Sequence, residues 1–367
     1  MRTHDYLLVG GGIVGACLAE ELARTGASVM VLDAGREAGH ATRKAAGVAV
    51  PSLRYLDRSD FYQWLCQGRE RLHRDIRRLQ PAHGEFSVAS PILRALRTTD
   101  AEAYGDRLSA AGAGEWIDSA ELPAVAPGMK LPADRHYLLD PHGLMVDGGR
   151  YLEAVRRQCL AAGVTWHQDT TVRSLTEDAS GVEAVTDNGT LRADRVVLTT
   201  GAWSGGPLAP DLPVYPQRGQ LVQLETAEKL PCIFSSAFYL APGVDGRVIV
   251  GATEEDAGFH EQCTAGGIGR LLMFAGAALP ALADAAPVEL RAGLRPATRT
   301  GFPLTGRVPG RSRTYVAAGH AGHGLLSARI SAEGMAAGLT ADAWDALPEE
   351  FCPTSTSATT HEQGSVA

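Results

Sequence analysis

DYLLVGGGIVG, residues 5–15, is an apolar run that leads directly into a cluster of glycines. We expect residues 5–10 to form a short buried strand and residues 13–25 to form a helix rich in Ala, Leu and Glu. A second apolar run follows at residues 28–33. Such uninterrupted runs are typical of parallel sheets, in which helices cover both faces. The N-terminus therefore predicts a β-α-β unit.

The glycines of this stretch fit the pattern G-x-G-x-x-G between a predicted strand and a predicted helix. Gly10 permits a tight turn, Gly12 lets the backbone approach a pyrophosphate at the positive end of the helix, and Gly15 lets the helix pack closely on the sheet. Asp33 ends the second strand, where a carboxylate can accept hydrogen bonds from a ribose. The unit predicts a dinucleotide site, and the pattern itself is shared by FAD and NAD.

Composition limits the classes of protein that the rest of the chain can form. The 367 residues are 45% apolar and 21% charged, as in an ordinary globular protein, which excludes intrinsic disorder, collagen and a coiled coil. The formal net charge of −8 argues against nucleic-acid binding. The most basic stretch, residues 69–78, is expected to be the solvated face of a helix.

Cysteine spacing and hydropathy bear on metals, membranes and location. The six cysteines show no metal-type spacing, so we expect reduced thiols and no metal site. We expect no signal peptide before the first strand, and no stretch of about 18 residues stays apolar enough to cross a bilayer. The expected location is the cytoplasm, without membrane contact.

From about residue 51 the chain departs from the nucleotide-binding unit, and it returns to it later. The Asn-Gly pair at residues 188–189 lies between two strand-like runs and predicts a hairpin. Residues 195–199 predict a buried strand, and residues 315–318 predict another that leads into a helix over 325–339. An NAD dehydrogenase would instead continue with further β-α units. The interrupted order of the nucleotide-binding segments therefore favours FAD over NAD as the cofactor.

Four segments in this order resemble FAD-dependent amine oxidoreductases of the D-amino acid oxidase superfamily, most closely the glycine oxidase and sarcosine oxidase branch. The segments are residues 9–15 with Asp33, 43–48, 194–204, and 293–306 with 315–324. The resemblance implies an α/β fold in which a Rossmann-like FAD-binding domain of the GR2 type is interleaved with an antiparallel-sheet substrate domain. It assigns the FAD-binding domain to residues 1–50, 141–205 and 291–345 and the substrate domain to 51–140 and 206–290. Residues 352–367 are expected to be a flexible tail.

The resemblance also implies how FAD is held. Members of the sarcosine oxidase branch attach FAD through a cysteine near what is here residues 291–295, which contain none, so a non-covalent FAD is expected. Independently of the resemblance, the glycines before the last helix would let its N–H groups stabilise the negative charge of reduced flavin. The predicted cofactor contacts are Gly10, Gly12, Ile13, Val14, Gly15, Asp33, Arg43, Lys44, Ala45, Ala46, Gly47, Val172, Thr200, Gly201, Trp203, Arg295, Gly322, His323, Gly324 and Leu325.

Two residues are predicted to hold a substrate carboxylate. A carboxylate needs a planar, permanently charged partner that can bind two oxygens at once, and Arg295 lies in the Gly-Leu-Arg-Pro context where the family places such an arginine. The alternative for Arg295 is a surface salt bridge. Tyr239 matches a family tyrosine whose hydroxyl faces the same carboxylate, and taken alone it would be an ordinary strand residue.

Two positions depart from the glycine oxidase pattern. Glu254 stands where that branch usually has an apolar residue, so it either recognises a positively charged part of a larger substrate or is simply exposed to solvent. Gly322 and His323 stand where glycine oxidases commonly carry Arg-Asn, and this Gly-His-Gly sequence is nearer to sarcosine and dimethylglycine oxidases. His323 would contact the flavin or the amine, or serve as a structural histidine near a helix start.

The predicted activity is oxidation of the C–N bond of a small amino acid or N-substituted glycine, with hydride transfer to flavin N5 and hydrolysis of the resulting imine. O2 is the expected acceptor. The alternative is a sarcosine or D-amino acid dehydrogenase or oxidase that acts on a larger secondary or N–N-linked amine in a biosynthetic pathway. An NAD-dependent dehydrogenase and a flavin-fold binding or RNA-modification module are further interpretations, the latter disfavoured by the acidic charge. The oligomeric state stays open, a homo-oligomer included.

Overall fold

The computed structural model describes residues 4–35 and 40–353, and the last fourteen residues of the predicted tail lie outside this range. The strands are β1 (His4–Val9), β2 (Val29–Leu32), β3 (Ser87–Ala89), β4 (Ile92–Arg97), β5 (Glu115–Ile117), β6 (Arg135–Asp140), β7 (Leu144–Val146), β8 (Thr165–His167), β9 (Val172–Asp178), β10 (Gly181–Thr186), β11 (Gly189–Leu198), β12 (Val214–Glu225), β13 (Ile233–Ser235), β14 (Tyr239–Pro242), β15 (Val248–Gly251), β16 (Ala286–Thr298), β17 (Leu304–Arg307) and β18 (Thr314–Ala318). The α-helices are α1 (Ile13–Arg24), α2 (Ala41–Lys44), α3 (Ser59–His83), α4 (Thr98–Ala110), α5 (Leu122–Val125), α6 (Gly148–Ala161), α7 (Ala265–Ala278) and α8 (Gly324–Ala341).

The predicted β-α-β unit is present at the N-terminus. β1 lies between β2 and β11 and pairs with both in parallel, so that Leu8 is opposite Val31 on one side and Val197 on the other. All three side chains are fully buried, as expected for a parallel sheet covered on both faces. The sheet runs in the order β17-β18-β11-β1-β2-β8, with β10 and β9 continuing from β11.

The predicted hairpin is also present, and it belongs to a longer strand than the sequence indicated. β10 and β11 are joined through residues 187 and 188, and Thr186 pairs with Gly189. The first half of β11 pairs antiparallel with β10, whereas its second half pairs in parallel with β1 and β18. A single strand therefore connects the hairpin to the nucleotide-binding sheet, which the separate apolar run at residues 195–199 did not indicate.

A second sheet has the order β16-β12-β15-β14-β13-β4-β6-β5 and is antiparallel except for the pair of β13 and β4. Its core includes Val222, Leu240 and Val250, which pack with Leu271 of α7. Its strands come from two separate parts of the chain, so the two sheets are interleaved along the sequence. β16 belongs to this sheet through Thr298, beyond residue 291 where the third FAD-binding segment was predicted to begin. The assignment of the segments to two domains stays a prediction.

The helices over the first sheet are joined by a buried charge network. Arg329 of α8 donates to Glu20 of α1 at 2.6 Å and to Asp75 of α3 at 2.8 Å. The hydroxyl of Tyr151 in α6 donates to Asp75 at 2.6 Å, and Arg78 reaches both carboxylates. The stretch at residues 69–78 is therefore only partly solvated, because its Asp75 faces inward to pair with a charge from a distant helix.

In the described ranges, none of the helices combines the length and apolar character that a membrane span requires.

Candidate active site

A cavity of about 270 Å³ lies where the glycine-rich turn, α2, the second sheet and the start of α8 meet. Fourteen of the residues predicted from the sequence line it. They are Gly12, Ile13, Val14, Lys44, Ala45, Ala46, Gly47, Gly201, Tyr239, Glu254, Arg295, Gly322, Gly324 and Leu325. The structure thus brings predicted nucleotide-binding and predicted substrate-binding residues to one cavity.

The turn between β1 and α1 is built for a close approach of backbone. Gly10 has a φ of 111°, and a β-carbon there would lie 2.4 Å from the carbonyl oxygen of Thr199. Ile13 N–H, at the start of α1, donates to Thr42 Oγ1 at 3.1 Å. The first N–H groups of a helix lack intrahelical partners, so this end of α1 can hold a phosphate group.

Asp33 supports the same turn from inside the protein. Its carboxylate is buried and accepts hydrogen bonds from Gly11 N at 2.6 Å and from Gly35 N at 2.9 Å. A carboxylate can accept further bonds on its remaining lone pairs. The predicted contact of Asp33 with a ribose stays a prediction, because Asp33 is not among the residues that line the cavity.

Several other predicted residues do not line the cavity. Arg43 lines a smaller polar recess of about 40 Å³, together with Asp147 and Arg291. Thr200 Oγ1 lies 3.0 Å from Ser204 Oγ, and Val172 belongs to the core of the first sheet. The predicted residues outside the wall are Gly10, Gly15, Asp33, Arg43, Val172, Thr200, Trp203 and His323.

Arg295 of β16 lies in the part of the cavity wall that the second sheet forms. Its Nη1 donates to the carbonyl oxygen of Thr253 at 3.0 Å. Gly219 of β12 lies directly against the guanidinium, since a β-carbon at that position would be 2.6 Å from it. Both Arg295 and Gly219 line the cavity. The side chain therefore occupies space that only a glycine leaves open, and no local pattern in the sequence indicates this contact.

Tyr239 of β14 faces the same end of the cavity, opposite Gly251 on β15. Burial raises the pKa of the Tyr239 hydroxyl to about 12, against the smaller lowering effect of the charge of Arg295. The phenol is therefore protonated at neutral pH. It can donate a hydrogen bond to an anion that Arg295 also holds.

Two histidines at the start of α8 are both uncharged at neutral pH. Burial lowers the pKa of His323 to about 3, with a further contribution from the charge of Arg54, and its ring contacts Tyr55 at a centroid distance of 5.3 Å. Burial lowers the pKa of His320 to about 4. His320 lines the cavity, is only 3% exposed, and its Nε2 lies 2.8 Å from Ser331 Oγ. His320 is not among the site residues predicted from the sequence.

Glu254 lines the cavity and forms an ion pair with Arg54 at 3.3 Å. Both side chains are 45% exposed. The sequence left open whether Glu254 binds substrate or faces solvent, and its role stays a prediction. Arg54 carries no sequence signal, because its partner lies 200 residues away along the chain.

The cavity fits FAD by the chemistry of its walls. One end presents the N-terminus of α1 and small residues from α2, which suit a pyrophosphate and a closely approaching backbone. The other end presents the start of α8, and the buried Nδ1 of His320 has no hydrogen-bond partner in the described part of the chain. An orphaned buried polar atom at a cavity wall indicates a missing polar ligand. No group of His, Cys, Asp and Glu side chains in the described ranges could hold a metal ion.

Comparison with known proteins agrees with this geometry. Residues 5–337 match the DAO family, described as FAD dependent oxidoreductase. The chain is 28% identical to the glycine oxidase of Geobacillus kaustophilus (strain HTA426) over 338 residues, which cover 88% of this chain and 89% of that protein. It is 33% identical to the uncharacterized oxidoreductase YurR of Bacillus subtilis (strain 168), with coverage of 88% and 91%. Iminodiacetate oxidase (IdaA) from Chelativorans sp. BNC1 has the same fold, with a TM-score of 0.85, 28% identity and coverage of 95% and 98%.

These matches confirm the family resemblance, the interleaved α/β fold class and the FAD cofactor that the sequence predicted. Roles of individual residues stay predictions. The chain belongs to the DAO family of FAD-dependent oxidoreductases, in its glycine oxidase branch, and is an FAD-dependent amine oxidoreductase.

Proposed function

We propose that this enzyme oxidises the C–N bond of an N-substituted glycine or a small amino acid and passes the electrons to O2. The observation that carries the proposal is the position of Arg295, which lies against Gly219 in the wall of the cavity with Tyr239 facing the same end. A planar cation and a neutral phenol together suit a carboxylate next to the reacting carbon.

Arg295 and Tyr239 orient the substrate. Nη1 of Arg295 is held by Thr253, so the plane of the guanidinium is fixed while its remaining N–H groups can donate to a carboxylate. Tyr239 supplies a second donor, since a tyrosine hydroxyl is protonated at neutral pH and burial raises its pKa further, to about 12. Fixing the carboxylate at two points limits the rotation of the substrate and supports catalysis by positioning.

The two histidines before α8 do not repel a substrate that carries an amine. His320 and His323 are uncharged, so neither adds a positive charge that would oppose a cationic substrate, and neither needs to be deprotonated before reaction. When bound, FAD accepts the hydride from the carbon that bears the amine. The amine lone pair assists this departure, and the N–H proton leaves to solvent. Water then hydrolyses the imine to an oxo acid and the released amine.

Two departures from the glycine oxidase pattern favour an N-substituted substrate over glycine itself. Glu254 adds a charge to the cavity wall and is joined to Arg54, which extends the polar surface beyond the carboxylate anchor. Gly322 leaves space where the branch commonly has an arginine. Glycine oxidase and iminodiacetate oxidase, a primary and a secondary amine oxidase by name, are both relatives of this chain. A larger secondary amine is therefore the second candidate substrate for the same reaction.

The test is an anaerobic titration of the purified yellow protein. Glycine, sarcosine, iminodiacetate and D-amino acids are added in turn, and loss of the flavin absorbance identifies a substrate. Arg295→Ala should reduce the rate of bleaching at low substrate concentration by at least about a hundredfold, because a charged hydrogen-bond donor is lost. Bleaching that is unchanged in this variant would contradict the assigned anchor.

Admitting O2 after reduction tests the acceptor. Rapid return of the yellow colour with stoichiometric H2O2 supports an oxidase, since two electrons and two protons convert O2 to H2O2. Slow return in O2 but rapid return with a quinone would identify a dehydrogenase. A preparation that remains colourless after incubation with FAD, or one that no carboxylate-bearing amine bleaches, would contradict the proposed reaction.

A further inference from the structure

We propose that Arg54 and Glu254 bind a second head group of the substrate, and that this head group is an α-amino acid zwitterion at the far end of the N-substituent. The inference rests on the proposed function and specifies its substrate class. It assigns to the ion pair a role in specificity, separate from the carboxylate anchor.

Glu254 lines the cavity, and Arg54 pairs with it from outside the cavity wall. Arg54 belongs to the short helical turn Leu53–Tyr55, which precedes α3, and Glu254 lies in the segment after β15. Their closest approach is 3.3 Å. Within the described ranges, neither side chain forms a hydrogen bond or ion pair with any other residue. In the described part of the chain, this ion pair is therefore the polar side-chain contact that Arg54 and Glu254 provide between the turn before α3 and the segment after β15.

The pair lies next to the proposed reaction site. Thr253, which holds Arg295, immediately precedes Glu254, so the carboxylate anchor and Glu254 share one segment. Tyr55, which immediately follows Arg54, contacts the ring of His323 at the start of α8. A substrate held by Arg295 would therefore meet the pair when its N-substituent extends out of the cavity.

Arg54, rather than the neighbouring Arg58, is free to bind a ligand. The neighbouring Arg58 is engaged, because its Nη1 donates to the carbonyl oxygen of Thr300 and its guanidinium lies 4.6 Å from the centre of the Phe302 ring. Arg54 and Glu254 are 45% exposed. An exposed ion pair contributes little to stability, so a ligand can separate its members at little cost.

Charge balance selects the head group. A lone ammonium would pair with Glu254 and leave Arg54 without its partner, and a lone carboxylate would pair with Arg54 and leave Glu254 facing another anion. A zwitterion offers a carboxylate to Arg54 and an ammonium to Glu254, so every charge keeps an opposite partner. The proposed substrate class is thus a glycine whose nitrogen carries a chain that ends in an α-amino acid group.

The experiment compares N-alkylglycines of matched chain length that end in a methyl group, an ammonium, a carboxylate or an α-amino acid group, over a series of chain lengths. Binding to the oxidised enzyme is measured from the change in the flavin spectrum, and flavin reduction is measured anaerobically. At one chain length the zwitterion should bind at least about tenfold more tightly than the methyl-ended analogue. Arg54→Gln and Glu254→Gln should each reduce this preference to near parity.

Arg157→Gln is the matched control, because Arg157 forms an exposed ion pair with Glu153 on α6 and neither of these two residues lines the cavity, whereas Glu254 does. It should preserve the preference. The proposal is overturned if the methyl-ended and zwitterionic analogues bind equally well, or if the carboxylate-ended analogue matches the zwitterion and Glu254→Gln has no effect. Failure of every N-alkylglycine to reduce the flavin would instead contradict the N-substituted glycine as substrate in the proposed function, on which this inference depends.

Discussion

Gly219 and Arg295 occupy adjacent strands so closely that a β-carbon on residue 219 would lie 2.6 Å from the guanidinium of Arg295. Gly219→Ala should therefore displace the arginine without altering its charge. We expect kcat/KM for a carboxylate substrate to fall at least about tenfold, because the fixed planar geometry is lost. Steady-state kinetics with the substrate found by flavin bleaching provides the measurement. Unchanged kinetics with retained FAD would show that the arginine position is unimportant.

Tyr239→Phe removes a hydroxyl that we expect to donate to the substrate carboxylate. KM should rise by about tenfold, since a hydrogen bond to a charged group is lost. The pH dependence gives a second test. Because burial raises the pKa of Tyr239 to about 12, the wild-type enzyme should show no loss of activity from this group near pH 10, where an ordinary tyrosine titrates. An alkaline decline near pH ~10 that disappears in the variant would contradict the assignment.

His320 should make stability depend on pH in the acid range. Burial lowers its pKa from 6.5 to about 4. At a pH between these two values, the unfolded chain therefore binds a proton at His320 that the folded chain does not bind. Stability should therefore fall as pH decreases from 6.5 towards 4. His320→Gln should make this decline less steep, measured as the temperature at which bound flavin is released at each pH.

His136→Gln is the control for that measurement, because His136 is exposed and its substitution should leave the slope as in the wild type. An equally steep decline in His320→Gln would show that the buried imidazole does not cause it.

FAD should be released when the protein unfolds. The segment at residues 291–295 contains no cysteine for covalent attachment, so we expect the folded cavity wall to hold the cofactor without a covalent bond. After precipitation with acid, the yellow colour is expected in the supernatant and a colourless polypeptide in the pellet. Flavin that remains with the precipitated chain under denaturing conditions would indicate a covalent bond.

The sequence predicted those parts of the structure that depend on local pattern. The apolar runs around Gly10 and the Asn-Gly pair at 188–189 formed the strands and the hairpin expected of them, because burial and turn geometry act over a few residues. Arg295 and Tyr239 were found through family motifs, and the structure brings both to one cavity.

The features that escaped prediction are contacts between distant parts of the chain. From the sequence alone, Gly219 is an ordinary strand glycine, and its contact with Arg295 becomes evident only in the structure. Likewise, the sequence indicates only a surface cation at Arg54, because its partner Glu254 lies 200 residues away. Asp75 was assigned to a solvated face because its partner, Arg329, is contributed by the last helix. Local periodicity carries no information about such partners, since they are set by the packing of whole elements.

The network of Arg329, Glu20 and Asp75 ties together α1 and α8, the two helices whose first residues face the cavity. Removing one member would leave an uncompensated buried charge and loosen this junction. Colonies that lose their flavin colour after random mutagenesis should therefore include changes at positions 20, 75 and 329 as well as in the glycine turn. Retention of the flavin thus depends on residues that do not line the cavity.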